Sequence, residues 1–158
     1  MAKRIIDSLN RVIKWILIFL FFIMVIAVFL QVLFRFVLDQ PLAWTEELAR
    51  YLLIWIAFLG TGYAMSVKAH PSIELLFEKA SISVKKVLIV VSTGLMIFFF
   101  WNIVVNSIEF IQRSMTQTSP VLHVPMGLVY TVIPISSVLF VINLLYIVIS
   151  EWGKEASH

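Results

Sequence analysis

Residues 15–34 read WILIFLFFIMVIAVFLQVLF, a stretch without a single charge. A helix needs about 20 apolar residues, with a range of roughly 17–25, to cross the hydrocarbon of a bilayer. The run Ile16-Leu17-Ile18-Phe19-Leu20-Phe21-Phe22 lacks the apolar–polar alternation of a barrel strand, so it reads as helix. Basic residues precede it, as they precede a secretory signal. A signal's apolar region is only about 7–15 residues and ends at small side chains. Here Arg35, Phe36, Val37 and Leu38 follow, and the stretch is expected to stay in the chain as an anchor.

Outward from this helix, three more stretches qualify. Residues 51–67 and 87–108 contain no Asp, Glu, Lys or Arg, and neither do residues 114–150. The spans are expected at 15–38, 44–67, 86–112 and 126–150, the last beginning after Pro120 and Pro125 and kinked at Pro134. Composition agrees. Of 158 residues, 61% are hydrophobic and 13% charged, against about 25% charged in a soluble domain. The mean hydropathy is +1.02. A water-soluble chain of this length has no core large enough to hide so much apolar surface. The absence of cysteine excludes disulfides, thiolate chemistry and Cys-ligated metal centres.

Two shorter segments have the periodicity of helices that lie along the headgroups. In 3–14, Ile5, Ile6, Leu9, Val12 and Ile13 share a face opposite Arg4, Asp7, Ser8, Arg11 and Lys14. In 71–84, Pro71 opens a helix in which Ile73, Leu76, Phe77, Ala80 and Val84 oppose Glu74, Glu78 and Ser81. The expected fold is therefore an all-α integral membrane protein, one membrane domain over 1–158. It has four transmembrane helices plus short amphipathic interfacial helices. Nine of the 12 basic residues fall on one side: Lys3, Arg4, Arg11, Lys14, Lys68, Lys79, Lys85, Lys86 and Lys154. The positive-inside rule makes that side cytoplasmic, together with both termini. No basic tract interleaved with aromatics points to nucleic acid.

Ionisable groups in a span are the first functional candidates, because lipid disfavours them. Arg35, near the outer end of the first span, either snorkels to water or pairs with a carboxylate. Trp44-Thr45-Glu46-Glu47-Leu48-Ala49-Arg50-Tyr51 is the most informative segment. Glu46 and Glu47 fall in the first turn of the second helix, where the dipole favours them, and both are spaced to pair with Arg50. Adjacent carboxylates on a helix diverge by about 100° and cannot flank one substrate, so the cluster reads as structural. Ala57, Gly60, Thr61 and Ala64 offer a small-residue face for packing inside the chain or for docking to another helix. Asn102, Asn106, Glu109 and Arg113 form one polar stripe on the third span, facing protein or lining a water path. His70, His123 and His158 lie outside the expected spans, where they cannot serve as axial haem ligands, and P-loop, HExxH and GxSxG patterns are absent. No cofactor, metal or catalytic residue is expected, and the chain does not read as an enzyme.

The stretch Gln31-Val-Leu-Phe-Arg35-Phe, then Pro41, Trp44-Thr-Glu46-Glu47-Leu-Ala-Arg50-Tyr51, Trp55 and Phe58-Leu-Gly60 resembles the small membrane subunit of TRAP transporters, the DctQ type. The resemblance extends through His70-Pro-Ser-Ile73-Glu74-Leu75, Thr118-Ser-Pro120, Pro125-Met-Gly127 and Ile133-Pro134, and so covers nearly the whole chain. Pro71 departs from it, standing where the family pattern has an aliphatic residue. The resemblance implies a bacterial inner-membrane scaffold subunit in a sodium-coupled importer of an organic acid, such as a C4-dicarboxylate or sialic acid. It implies two protein partners: a large membrane subunit that holds the substrate and sodium sites, and a periplasmic substrate-binding protein. The candidate contacts are Arg35, Trp44, Glu46, Glu47, Arg50, Tyr51, Ala57, Gly60, Ala64, Asn102 and Asn106. The rival reading is a standalone homo-oligomeric transporter or channel with the Asn102–Asn106–Glu109 stripe lining its path; a membrane enzyme is a weaker third.

Overall fold

The first helix is longer than a membrane is thick. In the computed structural model, which describes residues 2–67 and 82–155, α1 spans Ala2–Phe36 without interruption, 35 residues. At 1.5 Å per residue that is about 52 Å, against a hydrocarbon core of about 30 Å. The expected interfacial helix 3–14 is thus continuous with the span, since no proline or glycine separates Lys14 from Trp15. Ile5, Leu9 and Val12 are exposed, whereas Asn10 and Ile13 are buried against the rest of the chain.

Helix α2 spans Ala43–Ser66, α3 Ile82–Ser114, α4 Met126–Tyr130 and α5 Val132–Glu155. Four segments are long and apolar enough to cross a membrane: Lys3–Phe36, Ala43–Ser66, Val87–Ser114 and Met126–Ser150. Residues 71–81 of the second expected interfacial helix lie outside the described residues; from Ile82 the chain belongs to α3. Among the described residues no strand accompanies the helices, and one isolated bridge joins Thr118 to Pro125.

The turns follow from local chemistry. After α1, Asp39 takes a left-handed φ of 55°, which Asp tolerates better than most residues, and the Gln40 N–H reaches back to the Phe34 carbonyl at 3.0 Å. The last span is interrupted three residues before Pro134. It divides at Thr131, and Pro134 occupies the first turn of α5. Proline has no N–H for the carbonyl four residues back, and its ring clashes there. That carbonyl belongs to Tyr130, the last residue of α4.

The extensive helix contacts run from α1 to α2, from α2 to α5 and from α5 to α3. The spans therefore line up as a row, with α1 and α3 as its outer members. Burial follows this order: 44% of the most apolar window in the last span is buried and 22% in α2, against 6% in α1 and none in α3. Met65 of α2 and Phe140 and Leu144 of α5 form the core, with Met96, Ile97 and Phe100 of α3 packed on it. Phe100 stacks on Phe140 with ring centroids 4.1 Å apart.

The close crossing of α2 and α5 is made at Gly62, not at Gly60. A Cβ on Gly62 would stand 2.8 Å from Leu139 Cδ2 and 3.1 Å from the Ser136 carbonyl, whereas one on Gly60 would meet nothing within 4 Å. Gly62→Ala is expected to lower the thermal midpoint in mild detergent through overpacking of about 1–3 kcal/mol. Gly60→Ala should leave it unchanged or raise it slightly, by helix propensity of up to about 1 kcal/mol. Tryptophan fluorescence during a thermal ramp compares the two.

Candidate functional site

Two polar assemblies hold the row together, one at each end, and neither has the form of a catalytic site. At the first, Glu46 falls in the opening turn of α2, and Glu47, just beyond that turn, is buried by the fold. Residues 117–126 form a tight hairpin loop. The Ser119 N–H donates to the Val124 carbonyl at 3.0 Å, the Met126 N–H to the Gln117 carbonyl at 2.8 Å, and the Val124 N–H to the Ser119 hydroxyl at 3.1 Å. His123 closes the tip with a left-handed φ of 54°. This points the successive N–H groups of Val121 and Leu122 at one spot, a backbone concavity of the kind that binds anions. Glu47 fills it. Its Oε2 accepts both N–H groups at 3.0 and 2.9 Å, while the Tyr51 hydroxyl donates to Oε1.

Glu46 faces the other way and pairs with Arg50 at 3.0 Å, both side chains largely exposed. Arg50 thus takes one of the two carboxylates that the spacing offered it. With one carboxylate turned into the loop and the other to the surface, the pair has no common substrate position. Trp44 is partly exposed at the start of α2. Beside it, Thr45 is fully buried, its hydroxyl donating to the Leu42 carbonyl at 2.7 Å. Arg35 has no carboxylate partner among the described residues; its guanidinium lies 5.6 Å over the Phe36 ring, within reach of a cation–π contact.

The second assembly joins three helices at the opposite end. Asn10 of α1 and Asn143 of α5 exchange amide hydrogen bonds at 2.7 and 3.0 Å, and Asn143 also donates to the Gly62 carbonyl of α2 at 2.9 Å. Both asparagines are buried. Sequence reasoning passed over them. Asn143 is a lone polar residue in an apolar run, a signal that marks an inward-facing position in a spanning helix. Asn10, within a charged segment, gives no such signal.

The small-residue face of α2 looks outward: Ala57 is exposed, and Gly60 and Ala64 are partly so. The stripe on α3 also faces out. Asn102 and Asn106 each donate one amide N–H to the carbonyl four residues back, at 2.8 and 2.7 Å. Their amide oxygens have no partner among the described residues. One turn on, Glu109 pairs with Arg113.

Residues 24–154 match the family described as tripartite ATP-independent periplasmic transporters, DctQ component. The chain is 28% identical over 139 residues to a Haemophilus influenzae protein named as a TRAP transporter small permease, covering 88% of this chain and 86% of that protein. It is 29% identical over 108 residues to the C4-dicarboxylate TRAP transporter small permease protein DctQ of Rhodobacter capsulatus, covering 67% of this chain and 48% of that one. It is 27% identical over 104 residues to the isethionate TRAP transporter permease protein DctMQ of Oleidesulfovibrio alaskensis. That match covers 65% of this chain but only 16% of the longer relative.

Two predictions concern the assemblies. Glu47→Ala removes the acceptor of two loop N–H groups and should speed amide exchange at Val121 and Leu122 about tenfold or more. Glu46→Ala and Arg50→Ala break only an exposed pair and should leave that exchange unchanged. At the other end, Asn143→Leu leaves the buried Asn10 amide unpaired and takes one hydrogen bond from the Gly62 carbonyl, at a cost of about 1–3 kcal/mol. The double variant Asn10→Leu/Asn143→Leu should lose less than the sum of the singles, as a thermal double-mutant cycle would read.

Proposed function

The chain belongs to the DctQ component family of tripartite ATP-independent periplasmic transporters, and we propose that it is the scaffold partner of a large permease subunit. The complex is a sodium-coupled importer of a small organic acid that a periplasmic binding protein delivers. In this reading the chain sits in the bacterial inner membrane with both termini in the cytoplasm, as its basic residues favour. It holds no substrate or sodium site of its own. It widens the stationary part of the complex, and the loop fastened by Glu47, with Arg35 and the Glu46–Arg50 pair, offers the binding protein a surface.

The observation that carries this reading is the outer face of α3. No residue in that helix's most apolar window is buried, yet the helix presents the amide oxygens of Asn102 and Asn106, without a partner among the described residues, beside Trp101, 66% exposed. Hydrocarbon offers an amide no partner, so polar groups at such depth turn toward protein. Another chain covering α3 satisfies them. Two features of the relatives support a large permease as that chain and a small organic acid as its cargo. The isethionate permease named DctMQ is about six times as long as its match to this chain, which covers 16% of it. The relatives' named cargoes, isethionate and a C4-dicarboxylate, are both small organic acids.

A mild-detergent pull-down of the tagged chain from its own membranes tests the reading. A large multi-spanning protein in near-equal amount is the expected result. Asn102→Leu/Asn106→Leu should reduce that recovery severalfold while leaving the chain's own thermal midpoint in place. Recovery of the chain with itself alone would overturn the scaffold reading in favour of a homo-oligomeric transporter.

A further inference from the structure

At the end of the row clasped by Asn10 and Asn143, a cleft of about 310 Å³ opens between α1, α2 and α5. That volume is at the small end of the range for ligand sites. Asp7, Asn10, Arg11 and Lys14 line one wall and Tyr63 and Tyr146 the other, with the asparagine pair as its floor. The α1 residues recur at three- and four-residue spacing, so they stand on one face of the helix. This is the face turned toward α2 and α5, while Ile5, Leu9 and Val12 look outward. Asp7, Arg11 and Lys14 thus stand over a protein cleft that Ile6 also lines, while Ile13 is buried.

Depth and charge say what the cleft takes. Lys14 immediately precedes the charge-free run that opens at Trp15, and Arg11 lies about 6 Å along the helix axis from Trp15. The two cations therefore stand at the boundary between hydrocarbon and water, at the level of phospholipid phosphates. Neither has a carboxylate partner within salt-bridge distance among the described residues. Among the described residues the one carboxylate that lines the cleft is that of Asp7, which leaves them one positive charge in excess. Asn10 keeps an amide N–H beyond the one it gives Asn143, and Tyr63 and Tyr146 line the same space. Two cations ringed by neutral donors match a phosphate ester, to which Arg and Lys give charge-assisted hydrogen bonds. Basic pockets between spanning helices at headgroup level hold anionic headgroups in this way.

We propose that this cleft is a binding site for the phosphate of an anionic phospholipid headgroup, held between Arg11 and Lys14 and opposed by Asp7. The site stands independently of the docking role of α3. It gives the long first helix a lipid ligand that ties α1 to α2 and α5 beside the asparagine clasp.

The full chain is reconstituted in equimolar phosphatidylcholine and phosphatidylglycerol and re-extracted in mild detergent, and the retained lipids are weighed by mass spectrometry. Phosphatidylglycerol should be enriched severalfold. Arg11→Gln/Lys14→Gln should bring the ratio back toward one, and Asp7→Asn should raise it, a gain that mere loss of structure does not produce. Lys3→Gln/Arg4→Gln removes the same charge from the same segment outside the cleft and should leave the ratio unchanged. Equal loss in both double variants would show diffuse surface charge and overturn the site, as would full retention in Arg11→Gln/Lys14→Gln. Displacement of the lipid by inorganic phosphate alone would assign the cleft to free phosphate and overturn the lipid reading.

Discussion

Hydrocarbon offers a polar group no hydrogen-bond partner, and nearly every structural choice in this chain answers that constraint. It forces the backbone into helices, whose hydrogen bonds close within the segment. It also governs the polar side chains within the spans. Thr61 donates to the Ala57 carbonyl, Ser92 to Ile89, Ser107 to Val104 and Ser137 to Ile133, each satisfied on its own helix. Among the described residues, the side-chain hydrogen bonds that cross between distant segments gather at the two ends of the row. One set is the asparagine clasp, and the other is the Glu47 carboxylate in the loop.

This division sets what can move. The middle of the row is held by packing, through Gly62 against Leu139 and through the Met65–Phe140–Leu144 cluster. The ends are held by directional bonds, which fix register as well as distance. Gly127 repeats the close approach at the loop end, where a Cβ would stand 2.7 Å from the Ile111 carbonyl, so α4 crosses α3 with no room for a side chain. A row pinned at both ends and closely packed in the middle suits a rigid support. It leaves α1 and α3 with broad outer faces for lipid or for another chain. The polar amides on α3 distinguish its face from the almost wholly apolar one of α1.

Much of the architecture was legible in the chain. Span number, helical type and the segment around Trp44–Tyr51 follow from hydropathy and spacing, because the lipid requirement acts on each segment separately. The roles inside that segment were less legible. Spacing allows Arg50 to reach either carboxylate, and only the loop arriving from residues 117–126 draws Glu47 away. Likewise Gly60 and Gly62 look equivalent in a list of small residues, and the rotation of α2 against α5 decides which one packs.

The sequence by itself determined an all-α membrane protein of four spans, since about 20 apolar residues without charge have one stable state in lipid. It also placed Pro134 where a helix must break, though not at which residue. Tertiary structure alone decided that the polar face of residues 7–14 turns toward a cleft, that Asn10 meets Asn143 across 133 positions, and that Glu47 binds loop N–H groups 74 and 75 positions away. Such pairings depend on how rigid helices rotate and stack against one another, and local periodicity carries no record of a partner so distant along the chain.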